Sequence, residues 1–180
     1  MTRTKYGQEI PIRVEVLTRE NARLTRYFYC GNQSIDDYFR CDAASDSTAV
    51  TYLVIDEDKE KLLAALTISC SAIFLSQKRQ FSTLMSAIEV VYFAVDVSYQ
   101  GMRYRPEDTG SLSHYLFSYL IEMMRGISRD HVGAAKLVLY AVPEARNFYE
   151  RLDFIPFGGD MYGDKGTYVR GCVPMYFDLN

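Results

Sequence analysis

At 180 residues, 48% apolar and 24% charged, the chain has the composition of one globular domain of ordinary size rather than a disordered segment. Its formal net charge of −3 argues against broad electrostatic binding to nucleic acid and fits a small cationic substrate better. A local basic patch from Arg3, Lys5 and Arg13, or from Arg103 and Arg105, stays open. The opening MTRTKYGQEI has no apolar signal core, and no run approaches the roughly 20 apolar residues that span a bilayer, so the chain reads as cytoplasmic with no membrane partner.

Residues 11–17, PIRVEVL, alternate apolar and polar and predict a first strand with Pro11 at its start. Segment 18–29 predicts a helix with Thr18 at its N-cap and Leu24, Tyr27 and Phe28 on one side. Cys30-Gly31-Asn32 interrupts it. Ser34 starts a second helix running to about residue 47, with Asp36 and Asp37 in the first turn, where the helix dipole favours negative charge. Two strands follow at 48–56 and 62–75, joined as a hairpin through the charged DEDKEK. Residues 76–86 are polar and predict a short helix or a loop. The run IEVVYFAVD, from Ile88 to Asp96, suits a strand buried on both faces. After a polar loop with Gly101 and Gly110, residues Leu112, Tyr115, Leu116, Tyr119, Met123, Met124 and Ile127 fall at helical spacing. A further strand is expected at 134–142 and a short helix from Pro143 to Leu152. Strands at 154–157 and 167–178 close the chain around the Gly-rich GGDMYGDKG. Antiparallel strands feeding a strand–helix–strand crossover predict an α/β (α+β) fold. Its mixed, mostly antiparallel central sheet would have six or seven strands flanked by helices, in a single domain over 1–180.

A strand that runs through a loop into a helix leaves backbone N–H groups unpaired where the helix begins, and such a place attracts anions, phosphates above all. Residues 88–127 have this form. Cys30, Cys41, Cys70 and Cys172 show no paired spacing and read as buried reduced thiols. His114 and His131 have no carboxylate or thiol partner at ligand spacing, and no metal site is suggested.

Three stretches carry a family resemblance. ARNFYERLDF, from Ala145 to Phe154, resembles the A-x-x-F-Y-x-x-x-G-F ending of the GNAT (N-acetyltransferase) superfamily. YFYCGNQSIDDYF is similar to the opening of a subgroup that includes the acetyltransferase toxins of toxin–antitoxin pairs. AVDVSYQG resembles the superfamily's fourth strand and cofactor loop. The resemblance spans nearly the whole chain, with departures. The usual Q/R-x-x-G-x-G/A is here Gln100-Gly101-Met102-Arg103-Tyr104, with the second glycine, Gly110, displaced to the helix entrance. Asp153 stands where a glycine is usual, and Val142 where many members have asparagine.

The resemblance implies a splayed pair of fourth and fifth strands and acetyl-CoA as acyl donor, with no metal. Backbone at Phe93, Ala94 and Val95 would meet the pantetheine arm. The pyrophosphate would rest on N–H groups of Tyr99, Gln100, Gly101, Met102 and Arg103, or of Gly110, Ser111, Leu112 and Ser113. Arg103 or Arg105 could pair with phosphate. Acyl transfer to an amine needs a neutral amine, a donor to the growing oxyanion and a leaving thiolate. A backbone N–H of the fourth strand is the implied oxyanion donor. Tyr149 matches the position that protonates the departing sulfur. A phenol of pKa about 10 could serve a thiol of about 8.5, more so if the site drew the two together. Against this stands a Tyr149 that merely packs. Glu89, acidic in an apolar strand, is the candidate general base. The alternative is a strand-start Glu facing solvent or paired with an Arg, while Asp96, at the strand's end, reads as a turn former.

The acceptor is then a primary amine on a small molecule or peptide. The toxin subgroup narrows it to the amino group of aminoacyl-tRNA and implies a ribbon–helix–helix antitoxin as partner. Homodimers are common in the family. The altered glycine pattern, Asp153 and Val142 motivate a third reading, an acyl-CoA-binding module without catalysis.

Overall fold

The computed structural model describes residues 10–76, 82–103, 110–163 and 171–179. Arg3, Lys5 and Arg105 lie outside them, as do parts of the 76–86 and 167–178 segments. Among the described residues there are eight strands: β1 Ile12–Val16, β2 Val50–Asp56, β3 Lys61–Ser76, β4 Ser82–Val95, β5 Lys136–Ala141, β6 Ile155–Pro156, β7 Met161–Gly163 and β8 Val173–Asp178. They join in one sheet in the order β1-β2-β3-β4-β5-β8-β6, with β7 on β3. The β4–β5 pair is parallel, whereas β1–β2, β2–β3, β3–β7, β5–β8 and β6–β8 are antiparallel. The helices are α1 Gln33–Asp37, α2 Leu112–Ile127 and α3 Arg146–Glu150. This is the mixed, mostly antiparallel α/β fold expected. The strand beyond the expected count is β7, three residues inside GGDMYG, where Met161 N–H closes a turn onto Gly158 O at 3.1 Å.

The chain forms two compact units. One takes residues up to Ile68 and Tyr92–Phe117; the other takes Ser69–Val91 and Ser118 onward. In the first, Leu62 to Ile68 are buried without interruption, as the apolar LLAALTI requires, and Thr51 and Thr67 meet hydroxyl to hydroxyl at 2.8 Å. Its core gathers Leu17, Phe28, Phe39, Leu53, Ile55, Leu62 and Ala94. In the second, Ile73, Ala87 and Val138 form a core under Phe157 and Tyr176, and Leu120 and Met124 of α2 are buried.

The early helices differ from expectation. Segment 18–29 holds only a 3-10 turn, Ala22–Thr25. Asn21 takes the Thr18 N–H at 2.7 Å and donates to Val16 O at 2.9 Å, and this side-chain turn competes with helical pairing. The second helix begins at Gln33, capped by Asn32 rather than by Ser34, and widens into a π-turn over Tyr38–Asp42. Asp36 lies in the first turn of this helix, as expected. It is fully buried and accepts the Cys30 N–H at 2.7 Å. The 76–86 segment is strand wherever it is described. Of the cysteines, all four are free, and Cys41 and Cys70 are exposed rather than buried.

Candidate functional site

The parallel ladder pairs Ala87–Val90 of β4 with Lys136–Leu139 of β5. β4 then continues to Val95 beyond the last rung of this ladder. Along this extension Phe93 lies edge-on to Phe117, with centroids 4.7 Å apart, while Ala94 and Val95 are buried.

Asp96 ends the strand and organises the turn after it. Its N–H donates to Leu63 O at 2.9 Å. Its carboxylate accepts from Lys61 Nζ at 2.9 Å, Ser98 N at 3.0 Å and Tyr29 N at 3.4 Å. Burial pushes this carboxyl up, but the bonds from Ser98 and Lys61 outweigh it and hold the group below its ordinary value. Removing it strands two backbone donors, so Asp96→Ala should lower unfolding free energy by about 2 kcal/mol in a urea titration at pH 7. A depressed folded pKa contributes stability above the unfolded value, about 3.9, and loses it as pH falls through the folded one. The wild type should therefore weaken as pH drops below about 4, and Asp96→Asn should flatten that dependence.

Tyr99 follows, 2% exposed. Its hydroxyl donates to Asp56 Oδ2 at 2.6 Å, and the same oxygen accepts from Lys59 Nζ at 2.9 Å. The Lys59 and Lys61 ammonium groups lie 4.9 and 5.5 Å from the Tyr99 ring centroid. Burial and the Asp56 carboxylate push the phenol pKa well up, and the same bonds hold Asp56 below its ordinary value despite burial. Gln100 Nε2 donates to both Cys30 O and Val95 O at 2.8 Å. The side chains of Tyr99 and Gln100 are thus anchors of the loop. The Tyr99 N–H is spent on Asp96 O at 2.9 Å. Gly101 takes φ +69 with no atom within 4 Å of a built Cβ, so the turn needs glycine for its backbone alone. Gly101→Ala should cost about 1–2 kcal/mol of stability, read as a lower melting temperature, with no clash to relieve.

The displaced second glycine has a structural answer. Arg103 pairs with Ser111 in an antiparallel bridge, and Leu112 N–H donates to Met102 O at 2.7 Å. The backbone thus brings Gln100–Arg103 together with Gly110–Ser113 although six residues intervene. Ser111 caps α2, its Oγ accepting from His114 N at 3.3 Å. The Leu112 and His114 N–H groups are committed internally, and the Met102 N–H is spent on Tyr99 O at 3.4 Å.

Glu89 and Tyr149 both belong to the second unit. Glu89 sits well inside β4, opposite Val138, and is 8% exposed, so the strand-start, solvent-facing alternative does not hold. Tyr149, on α3, is partly exposed and packs edge-on against Phe148 and Phe154, with centroids at 5.1 and 5.7 Å. Desolvation pushes its phenol up to about 12. The expected drawing together of phenol and thiol pKa values runs the other way here.

Sequence reasoning missed Asp56, Lys59 and Lys61 as supports of the loop. DEDKEK gave only a hairpin signal, and nothing local links it to Tyr99.

No family model and no curated protein matches the sequence. Solved structures match over nearly the whole chain. A bacterial toxin superposes with TM-score 0.72 at 20% identity, covering 94% of this chain and 91% of that one. A Tyr→Phe mutant of the toxin AtaT, bound to the C-terminus of the antitoxin AtaR and to acetyl-CoA, gives 0.67 at 19% identity, with 93% of each chain covered. AtaT complexed with acetyl-methionyl-tRNAfMet gives 0.68 at 18% identity, covering 93% of this chain and 95% of that one. The chain shares the fold of these proteins.

Proposed function

We propose that this protein is an acetyl-CoA-dependent N-acetyltransferase whose acceptor is the free α-amino group of an aminoacyl-tRNA, acting as the toxin of a toxin–antitoxin pair in the cytoplasm. The observation that carries this is the end-to-end fold match to AtaT in complex with acetyl-methionyl-tRNAfMet. It favours the aminoacyl-tRNA acceptor over an unspecified small-molecule or peptide amine. The antitoxin-bound neighbour supports an antitoxin segment as partner and acetyl-CoA as donor.

In this reading the edge of β4 at Phe93, Ala94 and Val95 takes the pantetheine arm as an added strand. The pyrophosphate rests on the loop from Gln100 to Arg103 and on Gly110, Ser111 and Ser113. The helix dipole favours the anion there, and exposed Arg103 supplies charge. Acetyl-CoA supplies the activated thioester. Glu89 accepts the amine proton, so that a neutral amine attacks. Tyr149 hydrogen-bonds the sulfur as negative charge grows on it.

Incubating the protein with acetyl-CoA and Met-tRNAfMet, and following thiol release together with acetyl label on the tRNA, tests the proposal. Label on the α-amino group is the expected result. Turnover only with small amines would restore the broader acceptor class. Acetyl-CoA binding by calorimetry without turnover on any amine would indicate the non-catalytic module.

A further inference from the structure

The chain is acidic overall, yet one stretch of the first unit is basic and aromatic together. Between residues 19 and 29 the exposed side chains include Arg19, Arg23, Arg26, Tyr27 and Tyr29, with Glu20 the one acidic residue. Tyr27 is 78% exposed and Tyr29 49% exposed. The Arg26 guanidinium stands 5.6 Å from the Tyr27 ring centroid. Two large rings thus face water on one short stretch.

Their backbone is held firmly. Phe28, between them, is 1% exposed in the core, its N–H donating to Thr25 O at 3.0 Å. The Phe28 carbonyl accepts from Arg40 Nε and Nη2 at 3.1 and 2.6 Å. Tyr29 O accepts from Val97 N at 2.9 Å, its N–H donates to Asp96, and Cys30 O takes Gln100. An outward, inward, outward alternation fixed this way displays two rings with little entropy left to lose. The same bonds set them directly beside the 96–103 loop.

We infer that Tyr27 and Tyr29 are a stacking platform for unpaired nucleotides of the acceptor RNA, and that Arg19, Arg23 and Arg26 hold its phosphates. This rests on the aminoacyl-tRNA reading above. An aminoacyl ester sits on the terminal ribose of a single-stranded end. Unpaired bases stack on aromatic faces, and arginines neutralise the backbone alongside. An acidic peptide would use the arginines but would leave the two rings unexplained. A local patch of this kind also answers the objection that net charge raises against RNA binding.

Fluorescence anisotropy with a labelled single-stranded RNA oligonucleotide ending in CCA, without acetyl-CoA, tests the inference. Tyr27→Ala and Tyr29→Ala should each weaken binding about tenfold, and the Phe variants should retain it. The triple variant Arg19→Ser, Arg23→Ser, Arg26→Ser should flatten the slope of log affinity against log salt by about 2. Unchanged affinity in the Ala variants, Phe variants as weak as Ala, or an unchanged salt slope would each overturn it. Binding through these residues without acetylation would leave this inference standing and remove the functional reading. Acetylation of Met-tRNAfMet at unaltered KM in the Tyr27→Ala, Tyr29→Ala double variant would do the reverse.

Discussion

Replacing Tyr149 by Phe is expected to lower kcat about 10²–10⁴-fold and to do so equally from pH 6 to pH 10. The ring keeps its contacts with Phe148 and Phe154, so the fold should lose little. The flat pH dependence follows from the raised phenol pKa. A phenol pushed up to about 12 stays protonated across that whole range and remains a donor throughout. The same shift decides what kind of donor it is. A leaving thiol near 8.5 lies well below it, so complete proton transfer would be uphill. In the proposed role Tyr149 would therefore hydrogen-bond the sulfur as it becomes thiolate rather than protonate it outright. Parallel kcat–pH profiles of wild type and Tyr149→Phe check this. No deficit would remove the role. A wild-type alkaline limb below pH 10 that the Phe variant lacks would show a phenol ionising where burial says it should not.

The parts of the fold legible in the sequence were those with long, regular apolar patterns. The expected 62–75 strand is Lys61–Ser76, and the expected helix is Leu112–Ile127, although Tyr119 of its expected core face is exposed and Phe117, Leu120 and Ile121 are buried. Both bury enough surface for pattern alone to decide. Between residues 18 and 47 the same reasoning failed for an identifiable cause. Short polar side chains bond the backbone there, and those bonds outweigh helix propensity. Asp36 is the sharpest case. Its place in the first turn was legible, whereas the inward bond of its carboxylate to the Cys30 N–H was not. The site divides along the same line. The strand, the loop and the helix entrance could be read in order, because they are contiguous. What holds the loop could not, because Tyr99 meets Asp56 from 43 residues away and Lys61 meets Asp96 from 35. No local pattern carries such a pairing. The displaced Gly110 looked like a departure from the motif, but the Arg103–Ser111 bridge restores the adjacency that motif spacing normally supplies.

Glu89→Gln is the second large effect expected, about tenfold in kcat/KM at pH 7, and unlike the first it should shrink as pH rises. The charge is lost and the shape kept, at a residue 8% exposed in the interior of β4. If Glu89 takes the proton from the incoming amine, its worth depends on how much amine arrives protonated. An α-amino group titrates near 7.7–8.0 in reference peptides. Below that range most acceptor is ammonium, and an enzyme without a base must wait for the rare neutral form. Above it the amine is already free to attack and the base has little left to do. The ratio of wild-type to variant kcat/KM should therefore fall steadily between about pH 7 and pH 9. A structural role for Glu89 in the β4–β5 ladder makes a different forecast. Loss of packing or of a buried partner would lower activity by the same factor at every pH and would also lower the melting temperature. A pH-independent deficit would thus move the base elsewhere, to a water chain or to another carboxylate, and leave Glu89 as a positioning residue.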